Sequence, residues 1–154
     1  MTDNFLLRIQ EAYLNSPPPE CWIASETDSA LEAVEETEEF CGIDYRKLNL
    51  GLYEKYSRVF TFLPDYALPY YFGAYLYMST KEKNYWQMAF DLIVADFFTA
   101  DVPREVRLNR TFLTIVGELS PDQQSLASEY LDSVSIDSSD EQKAALLRMK
   151  KILG

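Results

Sequence analysis

FLPDYALPYYFGAYLYM, residues 62–78, carries five of the chain's eleven tyrosines and one charge, Asp65. Its reading decides the fold. At 100° per residue from Pro69 onward, Tyr70 and Tyr77 share one side of a helix, Tyr71, Ala74 and Met78 a second, and Phe72 and Tyr75 a third. A helix that is apolar all round is buried on most sides. A membrane span needs about 20 predominantly apolar residues. Residues 59–78 reach that length but include Asp65, two prolines, a glycine and five phenols, so a core helix is the reading taken. Buried phenols need hydrogen-bond partners, and these are expected from Asp, Glu or backbone groups, with Asp91 and Asp96 as candidates. The alternative is a small-ligand pocket lined by Tyr66, Tyr70, Tyr71, Tyr75 and Tyr77, since tyrosine suits surfaces dry at one end and wet at the other.

Working outward, residues 84–98 (NYWQMAFDLIVADFF) form a second helix that is apolar nearly all round, apart from Asp91 and Asp96. Phe5, Leu6, Ile9, Ala12 and Tyr13 recur at helical spacing and predict a helix over 3–15, stopped by Ser16–Pro19. Thr27 or Asp28 caps a helix over 28–41 that Gly42 ends. Asp44 caps a helix over 45–63, which Gly51 breaks in two. Pro64 and Pro69 each suit a first helical position. Further helices are predicted over 104–119, over 121–134 behind Ser120, and over 139–153 behind a Ser138/Glu141 capping box. No strand, repeat or linker is evident. The expected fold is all-α: a single-domain bundle over 1–154, with six or seven helices around two strongly apolar central ones.

The 154 residues are 47% hydrophobic and 25% charged, the balance of a globular domain. Twenty-five acids against 14 bases give a net charge of −11, which repels nucleic acid and anionic lipid and suits a basic protein partner. There is no histidine, so the usual general base, the commonest metal ligand and the ordinary triads are missing. Di-iron bundles use Glu-x-x-His pairs; these, EF-hand loops, phosphate loops and GxSxG elbows are all lacking. The expectation is a non-enzymatic protein without cofactor or metal; a carboxylate-dependent enzyme is the remaining alternative, with no motif behind it. Cys21 and Cys41 lack CxxC spacing and are too few for a disulfide framework. With no basic-then-apolar start to suggest a secretory signal, they read as reduced thiols in a cytoplasmic protein.

The strongest candidate for partner binding is the second helix. Asp28, Glu32, Glu35 and Glu39 form one stripe flanked by Glu36 and Glu38, while Ala30, Val34, Thr37, Phe40 and Cys41 lie opposite and face inward. No Lys or Arg occurs between Arg8 and Arg46. Like charges four residues apart disfavour a helix by a few tenths of a kcal/mol, roughly, per pair, an effect a cationic partner offsets. The competing reading is a solvated helix face. Arg104, Arg107 and Arg110 share another helix side and suit ion pairs with acidic residues.

Certain motifs carry a resemblance. Phe62, Leu63, Asp65 and Ala67, then Tyr70, Tyr71, Ala74, Tyr75 and Leu76, then Leu119, Pro121, Gln123, Tyr130 and Leu131 resemble a family of small bacterial proteins. Its pattern is an F-L-T-P-E-A turn, a Y-Y-L-P-A-Y-L helix and a late L-T-P-E-Q helix. The likeness covers about residues 40–134 and departs at Gly73, where the family has proline, and at Pro69, where it does not. It implies a helical bacterial protein and no particular activity. Size and charge alone suggest an immunity or antitoxin-like protein that masks a cationic toxin surface.

Overall fold

The computed structural model describes residues 2–21, 28–56, 59–82 and 113–134, and among these every regular element is helical. In chain order they are α1 (Thr2–Tyr13), α2 (Asp28–Thr37), α3 (Leu50–Lys55), α4 (Val59–Phe62), α5 (Leu68–Glu82), α6 (113–118) and α7 (Pro121–Val134). Short 3-10 turns at Tyr45–Lys47 and Asp65–Ala67 join them. The all-α expectation holds. The second apolar helix (84–98), with Asp91 and Asp96, the arginines at 104, 107 and 110, and the last helix (139–153) lie outside the described residues.

Helix α5 is the axis of the described core. Tyr70 through Leu76 are all buried, with Met78, Ser79 and Thr80 beyond them, as all-round apolarity requires. Helix α1 packs along α5 and also touches α7, while α3 lies on α5 and α2 on α4. Phe5, Ile9 and Tyr13 are the inward stripe of α1, with Leu14 just beyond its end. Aromatic edges fill the space between: Phe40 meets Tyr53, Tyr56 and Tyr71 edge-on, and Tyr53 meets Tyr75 the same way at 4.8 Å. Such edge-to-face pairs follow the ring quadrupole.

Local chemistry sets the ends of the elements. The Asp44 carboxylate accepts from Arg46 N–H, but the element it caps is the 3-10 turn Tyr45–Lys47; the helix expected over 45–63 is that turn followed by α3 and α4. Ser120 and Gln123 form a reciprocal capping box at the start of α7: the Gln123 N–H donates to Ser120 Oγ (3.2 Å) and the Ser120 N–H to Gln123 Oε1 (2.8 Å). Gln123 Nε2 also donates to Ala12 O (2.7 Å), and the Tyr13 phenol donates to Gln123 O, so one residue ties the end of α1 to the start of α7. Arg8 grips Glu129 through two N–H donors between the same two helices.

Several boundaries differ from the sequence reading, among them the end of α1 at Tyr13 rather than residue 15. Gly51 does not break the third helix; it is the second residue of α3, because Asn49 caps that helix by accepting from Leu52 N–H (3.1 Å). Helix α2 ends at Thr37 rather than Cys41, and a turn runs on to Gly42, whose φ of 74° is left-handed. Pro64 precedes the 3-10 turn instead of opening it, and α5 starts at Leu68, one residue before Pro69.

The cysteines are not reduced thiols. Cys21 and Cys41 are joined as a disulfide with Cα atoms 5.4 Å apart, inside the span that such a bond accepts. With the two cysteines 20 residues apart in sequence, the closed loop restricts the unfolded chain by about 3 kcal/mol on the loop-entropy account.

Candidate functional site

The acidic face is built on α2 and the turn after it. Ala33 and Thr37 are buried, and Phe40 beyond the helix end is sealed in the aromatic core. The inward stripe is therefore Ala33–Thr37–Phe40, with Val34 half-buried at its margin and Cys41 half-buried in the disulfide. This is a correction to the sequence assignment, which passed over Ala33. The backbone of Asp28 opens the helix. Glu32, Glu35, Glu38 and Glu39 are exposed, and Glu36 is half-buried. The Thr37 hydroxyl donates to Ala33 O (2.7 Å), which lets this polar side chain sit inside.

One apolar residue belongs to the exposed side. Leu31 is 63% exposed, and helical spacing puts it between the Glu35 and Glu38 positions. Composition alone did not single it out; its place on the wheel, opposite Ala33 and Thr37, was the available clue.

The far end of the acidic series is not without bases. Glu39 pushes the pKa of the Tyr56 phenol up, and Tyr56 first and the Glu39 charge second raise that of Lys55. Lys55 Nζ also sits 5.1 Å from the Tyr56 ring centroid. A lysine sixteen positions from Glu39 in sequence thus returns beside it. Below this, Arg46 folds back on Asp44 with N–O distances of 2.9 and 3.1 Å and holds that carboxyl down to about 2.

The tyrosines of the alternative pocket fall into two groups. Tyr70, Tyr71 and Tyr75 are buried. The Tyr71 phenol donates to Pro19 O (3.0 Å) and accepts from Gly42 N–H (3.0 Å), and the Tyr70 phenol accepts from Tyr45 N–H (2.9 Å). Tyr53, buried beside them, donates to Tyr71 O (2.7 Å). Tyr66 is 55% exposed and donates to Glu20 O (2.7 Å). Tyr77 is half-buried, edge-on to Tyr45 at 5.2 Å, with Lys81 over its ring. Hydroxyls of this helix therefore tie the 17–21 strap and the 42–45 turn to the core through backbone groups. Burial pushes the Tyr71 phenol up to about 12, and raises those of Tyr13 and Tyr53 as well.

Among the described residues no group of three or more His, Cys, Asp or Glu side chains is placed to hold a metal ion, and no helix is long and apolar enough to cross a membrane.

Compared with known proteins, the chain matches no family model, no curated protein and no solved structure.

Proposed function

We propose that the chain is a non-enzymatic binding protein whose acidic α2 face receives a basic protein surface. A toxin covered by an immunity-type protein is the partner class this favours. One observation carries the reading: Glu32 and Glu35 on α2 and Glu38 and Glu39 in the turn after it all stand exposed, with the exposed Leu31 at the margin of this acidic face. Charge beside an apolar anchor suits a protein interface. Carboxylates on that face accelerate encounter with a cationic partner and confer salt dependence.

The test is retention from native lysate on the immobilised chain at low and high salt, beside the triple variant Glu32→Lys/Glu35→Lys/Glu39→Lys. One basic protein, retained by the wild type, released by salt and lost by the variant, supports the reading. Equal retention by both proteins sinks it.

The compartment is bound up with the disulfide. Such bonds persist in oxidising compartments and are mostly transient in a reducing cytosol. A cytoplasmic location is compatible with this chain only where the bond is made and broken as part of its working cycle.

A further inference from the structure

Over residues 31–37, helix α2 sends only small side chains into the core, Ala33 and Thr37, and the next anchor, Phe40, lies beyond the helix end. Helices this short are marginal alone, and Glu32 and Glu36, four residues apart, disfavour this one further. What closes the chain around α2 is covalent: the disulfide joins Cys21, before the helix, to Cys41, after it. The strap it fastens is itself pinned, because Pro19 O accepts from both Gly42 N–H and the Tyr71 phenol, and Glu20 O accepts from Tyr66. Both cysteines are half-buried at the rim of the core, not sealed within it.

The rest of the described body has contacts of its own. Helices α1, α5 and α7 meet through Phe5, Ile9, Tyr13, Phe72 and the Gln123 contacts, all remote in sequence from residues 21–41.

We propose that the Cys21–Cys41 disulfide is a redox latch on the acidic helix. Oxidised, it fixes α2 against the core; reduced, it lets α2 open locally while the α1–α5–α7 body stays folded. Its reductant is a dithiol. One thiolate of the dithiol attacks a cysteine sulfur, breaking the Cys–Cys bond and forming a mixed disulfide, and the freed cysteine thiolate takes up a proton. The second thiol of the reductant then attacks the mixed disulfide and releases the other cysteine. The protein gains two electrons and two protons, and the dithiol leaves as its own disulfide. The latch deepens the binding reading and rests on it for one consequence alone, that reduction removes the ordered acidic face.

The test is hydrogen exchange of the full chain, read by mass spectrometry before and after treatment with dithiothreitol. Peptide mapping without reductant first checks the 21–41 link, whose absence from the oxidised protein overturns the proposal. On reduction, amides of α2 are expected to exchange on the order of tenfold faster or more, with α5 and α7 unchanged. Unchanged α2 exchange overturns the latch, and so does a rise across all three helices, which marks a staple of the whole fold. Cys41→Ser should reproduce the reduced pattern without reductant; reduced wild type carries the test should that variant not fold. No partner is involved, so failure of the latch and failure of the binding reading are separate results.

Discussion

Gly73 and Tyr13 meet with no room for a side chain between them: a Cβ on Gly73 would overlap the Cβ and Cγ of Tyr13 and lie 2.7 Å from its Cδ1. This is where α1 crosses α5, and the Tyr13 ring lies edge-on to Phe72 at 6.1 Å beside it. The overlap involves the root of the Tyr13 side chain, which cannot swing away. Gly73→Ala should therefore destabilise the protein by about 2–3 kcal/mol, although alanine favours the helix itself by about 1 kcal/mol. Urea unfolding checks it: the midpoint should fall at constant m, and an unchanged midpoint would refute the close approach.

Tyr71 should matter for its oxygen as well as its ring. Tyr71→Phe keeps the packing with Phe40 and removes the bonds to Pro19 O and Gly42 N–H. Those two backbone groups still bond each other at 2.9 Å, which limits the loss to about 1 kcal/mol. The effect should also appear as faster amide exchange at Gly42, with α7 unchanged.

Ser79 and Tyr130 share a buried hydrogen bond of 2.8 Å that joins α5 to α7. A double-mutant cycle of Ser79→Ala and Tyr130→Phe should return a coupling of about 0.5–1.5 kcal/mol. Strict additivity would mean that the two helices are held by apolar packing alone.

Alkaline pH should unfold the protein through its buried phenols. Tyr13, Tyr53 and Tyr71 have pKa values raised mainly by burial, to about 12 for Tyr71. In the unfolded chain they ionise near the ordinary value of about 10. The unfolded state therefore binds fewer protons above that pH, and stability falls as pH rises from about 10 toward the folded values. Tyrosinate absorbance should show a late fraction that appears only together with loss of helix. At the acid end Asp44 works in the opposite sense: its contribution is present above about 4 and is lost as pH falls toward about 2. Salt should screen this exposed pair.

Glu35→Lys separates stability from binding. Glu35 is exposed, three residues from Glu32 and four from Glu39, so reversing its charge should leave stability unchanged or raise it by a few tenths of a kcal/mol, roughly. The same change should weaken capture of a basic partner and flatten its salt dependence. Loss of both stability and binding would point to a structural role for this carboxylate.

Local rules made much of the fold legible. The all-round apolarity of residues 70–78, the Asp44 cap and the Ser120–Pro121 start of α7 depend on neighbours within about four residues, the reach of helix periodicity and capping. Carboxylate spacing likewise placed Glu32 and Glu35 on the exposed side of α2 and Glu39 on that of the turn after it. Where local rules competed, the sequence reading slipped: the Asn49 cap outweighed Gly51 as a breaker, and a stripe judged by hydrophobicity favoured Val34 over Ala33. At the acidic site, nothing near Glu39 in sequence announced Tyr56 and Lys55.

By itself, then, the sequence determined, among the described residues, most of the segments that coil and most of the faces that turn to water, because each of those outcomes is settled within a turn or two of chain. Tertiary structure alone decided the rest. It made the backbone of the 17–21 strap and the 42–45 turn the partner of the tyrosine hydroxyls, required glycine at position 73, and brought Cys21 to Cys41. Each depends on segments separated along the chain meeting at distances of a few ångströms, and such approaches are set by how the helices cross, which no local spacing encodes.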